Sequence, residues 1–270
     1  MKINCRLVVK ILTNFIREES KKAGFDRVIL GLSGGLDSTV GAYLGVQALG
    51  PERVLALIMP YKDFDYQGIQ QAEKVAGLLK ITWKKIDISP QIEAYYSSFP
   101  TESQLLKGNK MARERMSILY DFSAREKAMI LGTSNKTELL IGYGTIHGDM
   151  AYGINPLGDL YKTQVRELGR YLNVPQEMLN KKPTAGLWPG QSDEEEIGLT
   201  YEELDSILYR LVDLRQPASQ IIEAGFEETK VRRVIELIKK SEFKRKMPPI
   251  AKLSNRSIGH DFLYPYDWDK

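Results

Sequence analysis

The sequence predicts an α/β protein built on a parallel sheet with helices on both faces, followed by a helical part. Three observations predict it. Short apolar runs alternate with segments of helical periodicity as far as Leu131. A glycine- and serine-rich loop joins the first apolar run to a helix. Beyond Asn155 strand patterns cease and only helical spacing continues. Alternating strands and helices make a parallel sheet covered on both sides.

The elements follow in order. Ile3–Lys22 repeats Val8, Ile11, Leu12, Phe15 and Ile16 at helical spacing. Asp26–Leu32 reads as a buried strand through Val28, Ile29 and Leu30, and a helix follows over Ser38–Leu49. Val54–Met59 is a second strand, ended by Pro60. Tyr66–Leu79 is a helix with Ala72, Val75, Ala76 and Leu79 on one face. Thr82–Ile88 reads as the third strand, Met111–Ser123 as a helix and Ala128–Leu131 as the fourth strand. Lys162–Leu172 and Tyr201–Leu214 are helices, and Asp213–Lys246 gives further helices broken at Pro217 and Gly225. Lys181–Gly198 is too long and too rich in Pro and Gly for a tight connection, and suits a lid. The expected organisation is one domain, 1–270: a sheet core over 1–155, a helical part over 156–247, and a polar, partly loose tail over 248–270.

Composition narrows the function classes. With 270 residues, 43% of them apolar, the chain can bury a large core. A net charge of +3 gives no basic surface for nucleic acid, and the cluster Lys239–Lys246 reads as the cation-rich end of a helix. Cys5 is the single cysteine, which rules out an intrachain disulfide and fits a cytoplasmic protein. No apolar run is long enough for a membrane span, and only His147 and His260 are available for histidine chemistry.

The chemistry starts at Gly31-Leu32-Ser33-Gly34-Gly35-Leu36-Asp37-Ser38. Gly34 and Gly35 let backbone N–H groups approach an anion, and the following helix points its positive end at the same place. Asp37 would repel a phosphate unless a divalent cation lay between them, which makes it a candidate magnesium ligand. The loop lacks the lysine of GxxxxGK[ST], so transfer of a terminal phosphate is disfavoured. The order Ser-Gly-Gly-x-Asp-Ser resembles the PP-loop, or N-type, ATP pyrophosphatase superfamily, whose members adenylate an oxygen and expel pyrophosphate.

Further motifs narrow the resemblance. They are Gly108-Asn109-Lys110-Met111-Ala112-Arg113-Glu114-Arg115-Met116, Gly132-Thr133-Ser134-Asn135-Lys136-Thr137-Glu138, Gly148-Asp149, Asn155-Pro156-Leu157 and Lys182-Pro183-Thr184-Ala185-Gly186-Leu187. In this order they are similar to the NAD synthetase family, from about Gly31 to Pro249. The resemblance implies a Rossmann-like adenine nucleotide alpha hydrolase fold. It also implies a reaction: ATP and the carboxylate of deamido-NAD give an adenylate and pyrophosphate, and ammonia then gives NAD and AMP.

Roles carry over residue by residue as expectations of that resemblance. Gly31–Ser38, Thr133, Lys162 and Thr184 would bind ATP, with Lys162 at the phosphates. Asp37 and Glu138 would hold Mg2+. Asn109 and Arg113 would hold deamido-NAD. Asp149 would orient ammonia or take its proton, although Gly148-Asp149 is also an ordinary turn pair. Family members are generally homodimers, and the first helix, with its wide apolar stripe, is either an interface or a cover for its own sheet.

The chain departs from the family pattern at three places. Ile146 stands for a lysine that helps hold deamido-NAD, Gly153 for an aspartate, and Phe243-Lys244 for a His-Lys pair. These touch the dinucleotide contacts and not the ATP chemistry. The chain begins almost directly with the synthetase portion, so free ammonia is the expected nitrogen source, either alone or from a separate glutaminase. A tRNA-modifying PP-loop enzyme would need a basic surface, and a non-catalytic nucleotide sensor would not need both Asp37 and Glu138.

Overall fold

The computed structural model describes residues 1–62, 65–188 and 190–262. Four parallel strands form the sheet, β1 (Arg27–Gly31), β2 (Val54–Ile58), β3 (Thr82–Lys85) and β4 (Ala128–Ile130), in the order β3-β2-β1-β4. The register pairs Ile29 of β1 with Leu55 of β2 and with Ile130 of β4. Strand order therefore reverses at β1. A crevice opens there beyond the carboxyl ends of β1 and β4, the usual ligand position of an open parallel sheet.

Side chains alternate along each strand and so build two cores. Val28, Leu30, Val54, Ala56 and Ile58 face one side, where α1 (Cys5–Lys22), α2 (Leu36–Leu49), α3 (Tyr66–Leu79) and α7 (Lys162–Tyr171) pack. Ile29, Leu55, Leu57 and Ile130 face the other side, with Ile92 of α4 (Ser89–Ser98) and Met111, Met116 and Leu119 of α5 (Gln104–Glu126). α2 is apolar nearly all round because it is enclosed, with Val40, Ala42 and Leu44 fully buried.

A third cluster joins α6 (Lys136–Ile141) to α10 (Tyr201–Leu208), α11 (Ala218–Glu223) and α12 (Glu228–Lys240) through Tyr161, Tyr201, Leu204, Ile221 and Val234. The short helices α8 (Gln176–Leu179) and α9 (Asp193–Ile197) complete the order. A π-helical turn over 209–213 ends the Tyr201–Leu214 segment.

Several expectations are corrected. α4 is not legible as a helix in the sequence: it buries Ile92 alone among its ten residues, so no apolar stripe marks it. α5 begins seven residues before the expected Met111, at a cap where the Ser103 side chain accepts from Leu106 N at 3.3 Å. Its first turn exposes Leu105 and Leu106, which hides the periodicity. β3 stops at Lys85 and not Ile88, and its four residues are all exposed at the sheet edge, with Lys84 and Lys85 blunting it.

The basic cluster after α12 also differs. Lys239 and Lys240 do lie in the last turn, but Lys244 and Arg245 turn inward. Lys244 donates to Gly142 O and Gly144 O at 2.8 and 2.7 Å, and Arg245 donates to Leu140 O at 2.7 Å. α1 covers its own sheet and also leaves part of its apolar stripe exposed. Ile16 is buried against the core while Leu7, Ile11 and Phe15 form an exposed apolar row. Residues 263–270, part of the expected tail, lie outside the described residues.

Candidate active site

A cleft of about 570 Å3 lies at the switch point, above the carboxyl ends of β1, β2 and β4. Its floor is the loop from Gly31 to Ser38. Gly34 adopts φ +75°, and a Cβ there would stand 2.2 Å from Gly68 O of α3. Gly34 packs closely against α3 and is not among the residues that line the cleft. Gly31, Leu32, Ser33, Gly35, Leu36, Asp37 and Ser38 do line the cleft. Ser38 Oγ donates to Gly35 O at 3.1 Å and lies 3.0 Å from Ser33 Oγ, so the hydroxyl donors are held together at the start of α2.

Asp37 projects from the first turn of α2. Its carboxylate accepts from Lys162 Nζ and from Asn135 Nδ2, the latter at 2.9 Å. Lys162 also donates to Glu138 at 3.3 Å. Glu138 is fixed by a capping box at α6, where Asn135 and Glu138 exchange side-chain and backbone bonds. Lys162 is fixed in turn by Thr137, whose hydroxyl accepts from Lys162 N at 2.9 Å and donates to the buried Asp205 at 2.5 Å.

Two carboxylates from different helices thus converge on one buried ammonium. Burial pushes the Glu138 carboxyl up to about 8, against the pull of Lys162. Burial acts downward on Lys162, but Asp37 and Glu138 outweigh it and hold the ammonium above its ordinary value. Asp37 and Glu138 are the right donor set for Mg2+, which takes one or two carboxylates and completes its shell with phosphate oxygens and water. Among the described residues no cluster of three or more His, Cys, Asp or Glu could hold a metal without such help.

The opposite wall is the segment between α6 and Ile154. It returns to the sheet where Leu131 bridges Ile154 in parallel and Gly132 N donates to Ile154 O at 2.7 Å. This return brings Thr145 and Asp149 over the cleft. Asp149 is open to the cleft but ringed by protein. Its crowded setting raises its carboxyl above the ordinary value, while the Thr145 N–H bond (2.8 Å), Lys244 and Arg115 act the other way. Asn109 of α5 accepts from Thr145 Oγ1 at 2.7 Å, and Arg113 donates to Ile146 O at 3.2 Å. Both therefore grip the same loop. Asn109 lines the cleft, whereas Arg113 is exposed on α5 outside the lining.

Thr133 lines the cleft beside α2, where Gly41 gives it room: a Cβ at Gly41 would meet Thr133 Cγ2 at 2.9 Å. Thr184 lies in the segment expected as a lid. That segment covers the cleft from Lys181 to Trp188 and is pinned by Asp193, which accepts from Ala185 N at 3.0 Å and from the Tyr143 and Tyr201 hydroxyls. Leu187 and Trp188 seat on α5 at Gly108, where a Cβ would stand 2.9 Å from Leu187 and 3.2 Å from Trp188.

Asn135, Asp193, Asp205 and Arg115 belong to the site but were not assigned from the sequence. Asn135 has the Asn-x-x-Glu spacing of a capping box, and Arg115 and Asp193 stand in sequence motifs that gave them no role. The contacts of Arg115, Asp193 and Asp205 exist only in the folded chain.

Comparison with known proteins agrees with this fold. The family model described as NAD synthase matches residues 8–248. The NH(3)-dependent NAD(+) synthetase of Trichlorobacter lovleyi is 46% identical over 100% of this chain and 99% of its own. Among solved structures, NMN synthetase from Francisella tularensis is 34% identical with a TM-score of 0.83, covering 93% of this chain and 99% of its own. The NH3-dependent NAD synthetase from Campylobacter jejuni, in complex with the nitrate ion, is 31% identical with a TM-score of 0.80, covering 93% and 100%. The chain belongs to the NAD synthase family.

Proposed function

We propose that this chain amidates deamido-NAD with ammonia at the expense of ATP, using the cleft at the β1/β4 switch point. It is a carbon–nitrogen ligase of NAD biosynthesis. The observation that carries the site assignment is the convergence of Asp37, Glu138 and Lys162 beside the Ser33–Ser38 loop.

The chemistry needs two displacements. A carboxylate oxygen of deamido-NAD attacks the α-phosphorus of ATP; the new O–P bond forms as the α–β bridge breaks, and pyrophosphate leaves with the electron pair. Ammonia then attacks the acyl carbon; a C–N bond forms, the C–O bond to AMP breaks, and one proton leaves nitrogen. Carboxylate oxide is a poor leaving group and AMP a good one, which is why the substrate is adenylated first. The loop of Gly31–Ser38 and Lys162 hold the phosphates, with Thr133 and Thr184 on the nucleotide. Asp37 and Glu138 hold Mg2+, which when bound neutralises phosphate charge. Asn109 and Arg113 hold the second substrate. Asp149, with its raised carboxyl, orients ammonia and accepts the proton. Positioning and charge neutralisation supply most of the rate.

No helix among the described residues is long and apolar enough to cross a membrane, and we place the protein in the cytoplasm. The exposed row Leu7, Ile11 and Phe15 on α1 supports a homodimer. Free ammonia is the nitrogen source.

The test is one assay. ATP, Mg2+, deamido-NAD and ammonium together should release pyrophosphate and form NAD in equal amounts at steady state; omission of ATP, Mg2+ or deamido-NAD should stop both, and omission of ammonium should stop NAD formation and leave at most one pyrophosphate per site. Continued pyrophosphate release without NAD in the complete mixture would sink the assignment, and efficient turnover with glutamine in place of ammonium would sink ammonia dependence.

A second reading, a mononucleotide substrate, has one observation behind it. A Cβ at Gly153 would lie 2.2 Å from Met129 Sδ, so Met129 occupies the room an aspartate would need there. An aspartate contact to a dinucleotide cannot come from this position, and one similar structure is named for NMN. A kcat/KM at least tenfold higher for nicotinate mononucleotide than for deamido-NAD would make the mononucleotide the substrate.

A further inference from the structure

Among the charged groups that line the cleft, Arg115 is one that the roles above leave without a task. Arg115 lies on the inner face of α5, one turn before Leu119. Its Nε donates to Met59 O at 2.9 Å, just past the carboxyl end of β2. Met59 and Leu119 flank Gly31, whose Cβ position is 3.5 Å from Met59 Cε and 3.6 Å from Leu119 Cδ1. Arg115 therefore stands beside the entry to the phosphate loop and lines the cleft. Among the described residues it forms no ion pair. The carboxylates whose charge it feels are Asp149, on the opposite wall, and Asp65, at the start of α3. Burial pulls the guanidinium down to about 10 in spite of both. A partly buried guanidinium without an ion pair costs stability, and among the described residues the hydrogen bond that holds this one runs through its Nε.

We propose that Arg115 binds the α-phosphoryl group of the nucleotide, in ATP and again in the adenylate. The position suits that group. Ser33–Ser38 and Lys162 take the departing pyrophosphate on one side, and Asp149 marks the ammonia side. The phosphorus that exchanges one partner for the other lies between them. A guanidinium presents paired donors to two non-bridging oxygens, which a lysine cannot match in geometry. As the acyl carboxylate bonds to phosphorus, this contact stabilises charge on the phosphoryl oxygens. As AMP leaves, it stabilises the phosphate monoester released.

This assignment rests on the proposed adenylation, so two measurements separate their failures. The first is equilibrium binding of AMP and of adenosine to the full chain, with no turnover required. The wild type should bind AMP more tightly than adenosine. Arg115→Met should weaken AMP about tenfold to a hundredfold, as expected for loss of a charged hydrogen bond, while adenosine affinity stays the same. Arg115→Lys should recover part of the AMP affinity. The second is deamido-NAD-dependent exchange between pyrophosphate and ATP, which should fall at least a hundredfold in Arg115→Met with its thermal midpoint unchanged or raised. An AMP-to-adenosine preference in Arg115→Met equal to that of the wild type overturns the Arg115 role, whatever the exchange assay gives. Wild type without exchange overturns the adenylation reading, while the AMP result still decides Arg115.

Discussion

Replacing Gly34 by alanine tests the phosphate loop by its backbone alone. The residue sits at φ +75°, where an L side chain costs about 1–2 kcal/mol. The added Cβ would also stand 2.2 Å from Gly68 O and 3.1 Å from Gln71 Cβ. Gly68 cannot yield easily, because its N–H donates at 2.7 Å to Asp65, the cap of α3. Forcing the loop and α3 apart adds about 1–3 kcal/mol, as overpacking does elsewhere. The sum is about 2–5 kcal/mol. If the loop instead relieves the clash by moving, Ser33 and Ser38 lose their mutual bond and the anion donors disperse. Urea unfolding read by circular dichroism, with ATP affinity measured in parallel, separates the two routes. Gly34→Ala should lose about 2–5 kcal/mol of stability, bind ATP at least tenfold more weakly, or share the loss between both. Unfolding midpoint and ATP affinity both equal to wild type would refute the reasoning, since no third place exists for the strain to go.

Glu138 makes the metal-free protein pH-sensitive. Its carboxyl is raised to about 8 from an unfolded value of about 4.3. Its stabilising contribution is therefore complete below about pH 4.3 and is lost as pH rises through about 8. Thermal midpoints in a chelator should show this decline in the wild type and a flatter profile in Glu138→Gln; parallel profiles would count against it. Asp149→Asn should reduce kcat/KM for ammonium by about 10²–10⁴ while pyrophosphate–ATP exchange continues. Full turnover at every ammonium concentration and pH would eliminate the base role. Gly108→Val places methyls where Leu187 and Trp188 seat, and should raise KM for ATP by about fivefold, equivalent to roughly 1 kcal/mol. An unchanged KM would mean that this seat does not matter to nucleotide binding.

What the sequence determined alone was whatever short-range chemistry can encode. The strands β1, β2 and β4 were legible because buried parallel strands are continuous apolar runs. The phosphate loop was legible because its glycines, hydroxyls and Asp37 are consecutive, and Glu138 because it ends a recognisable motif. α4 and the first turns of α5 were not legible, since Ile92 and exposed Leu105 and Leu106 give no periodic stripe. Only tertiary structure decided which distant charges meet. Asp37 and Lys162 are 125 residues apart and share a bond because α2 and α7 pack on one face of the sheet. Asp193 reaches Tyr143 across 50 residues, and Arg115 reaches Met59 across 56. It also gave Gly34 a packing task. The sequence marked that glycine as a partner for phosphate, and the fold in addition presses it against Gly68 of α3, where no side chain fits. Local patterns specify elements, but burial and Coulomb interaction act through space, and their outcome depends on which surfaces the fold presses together.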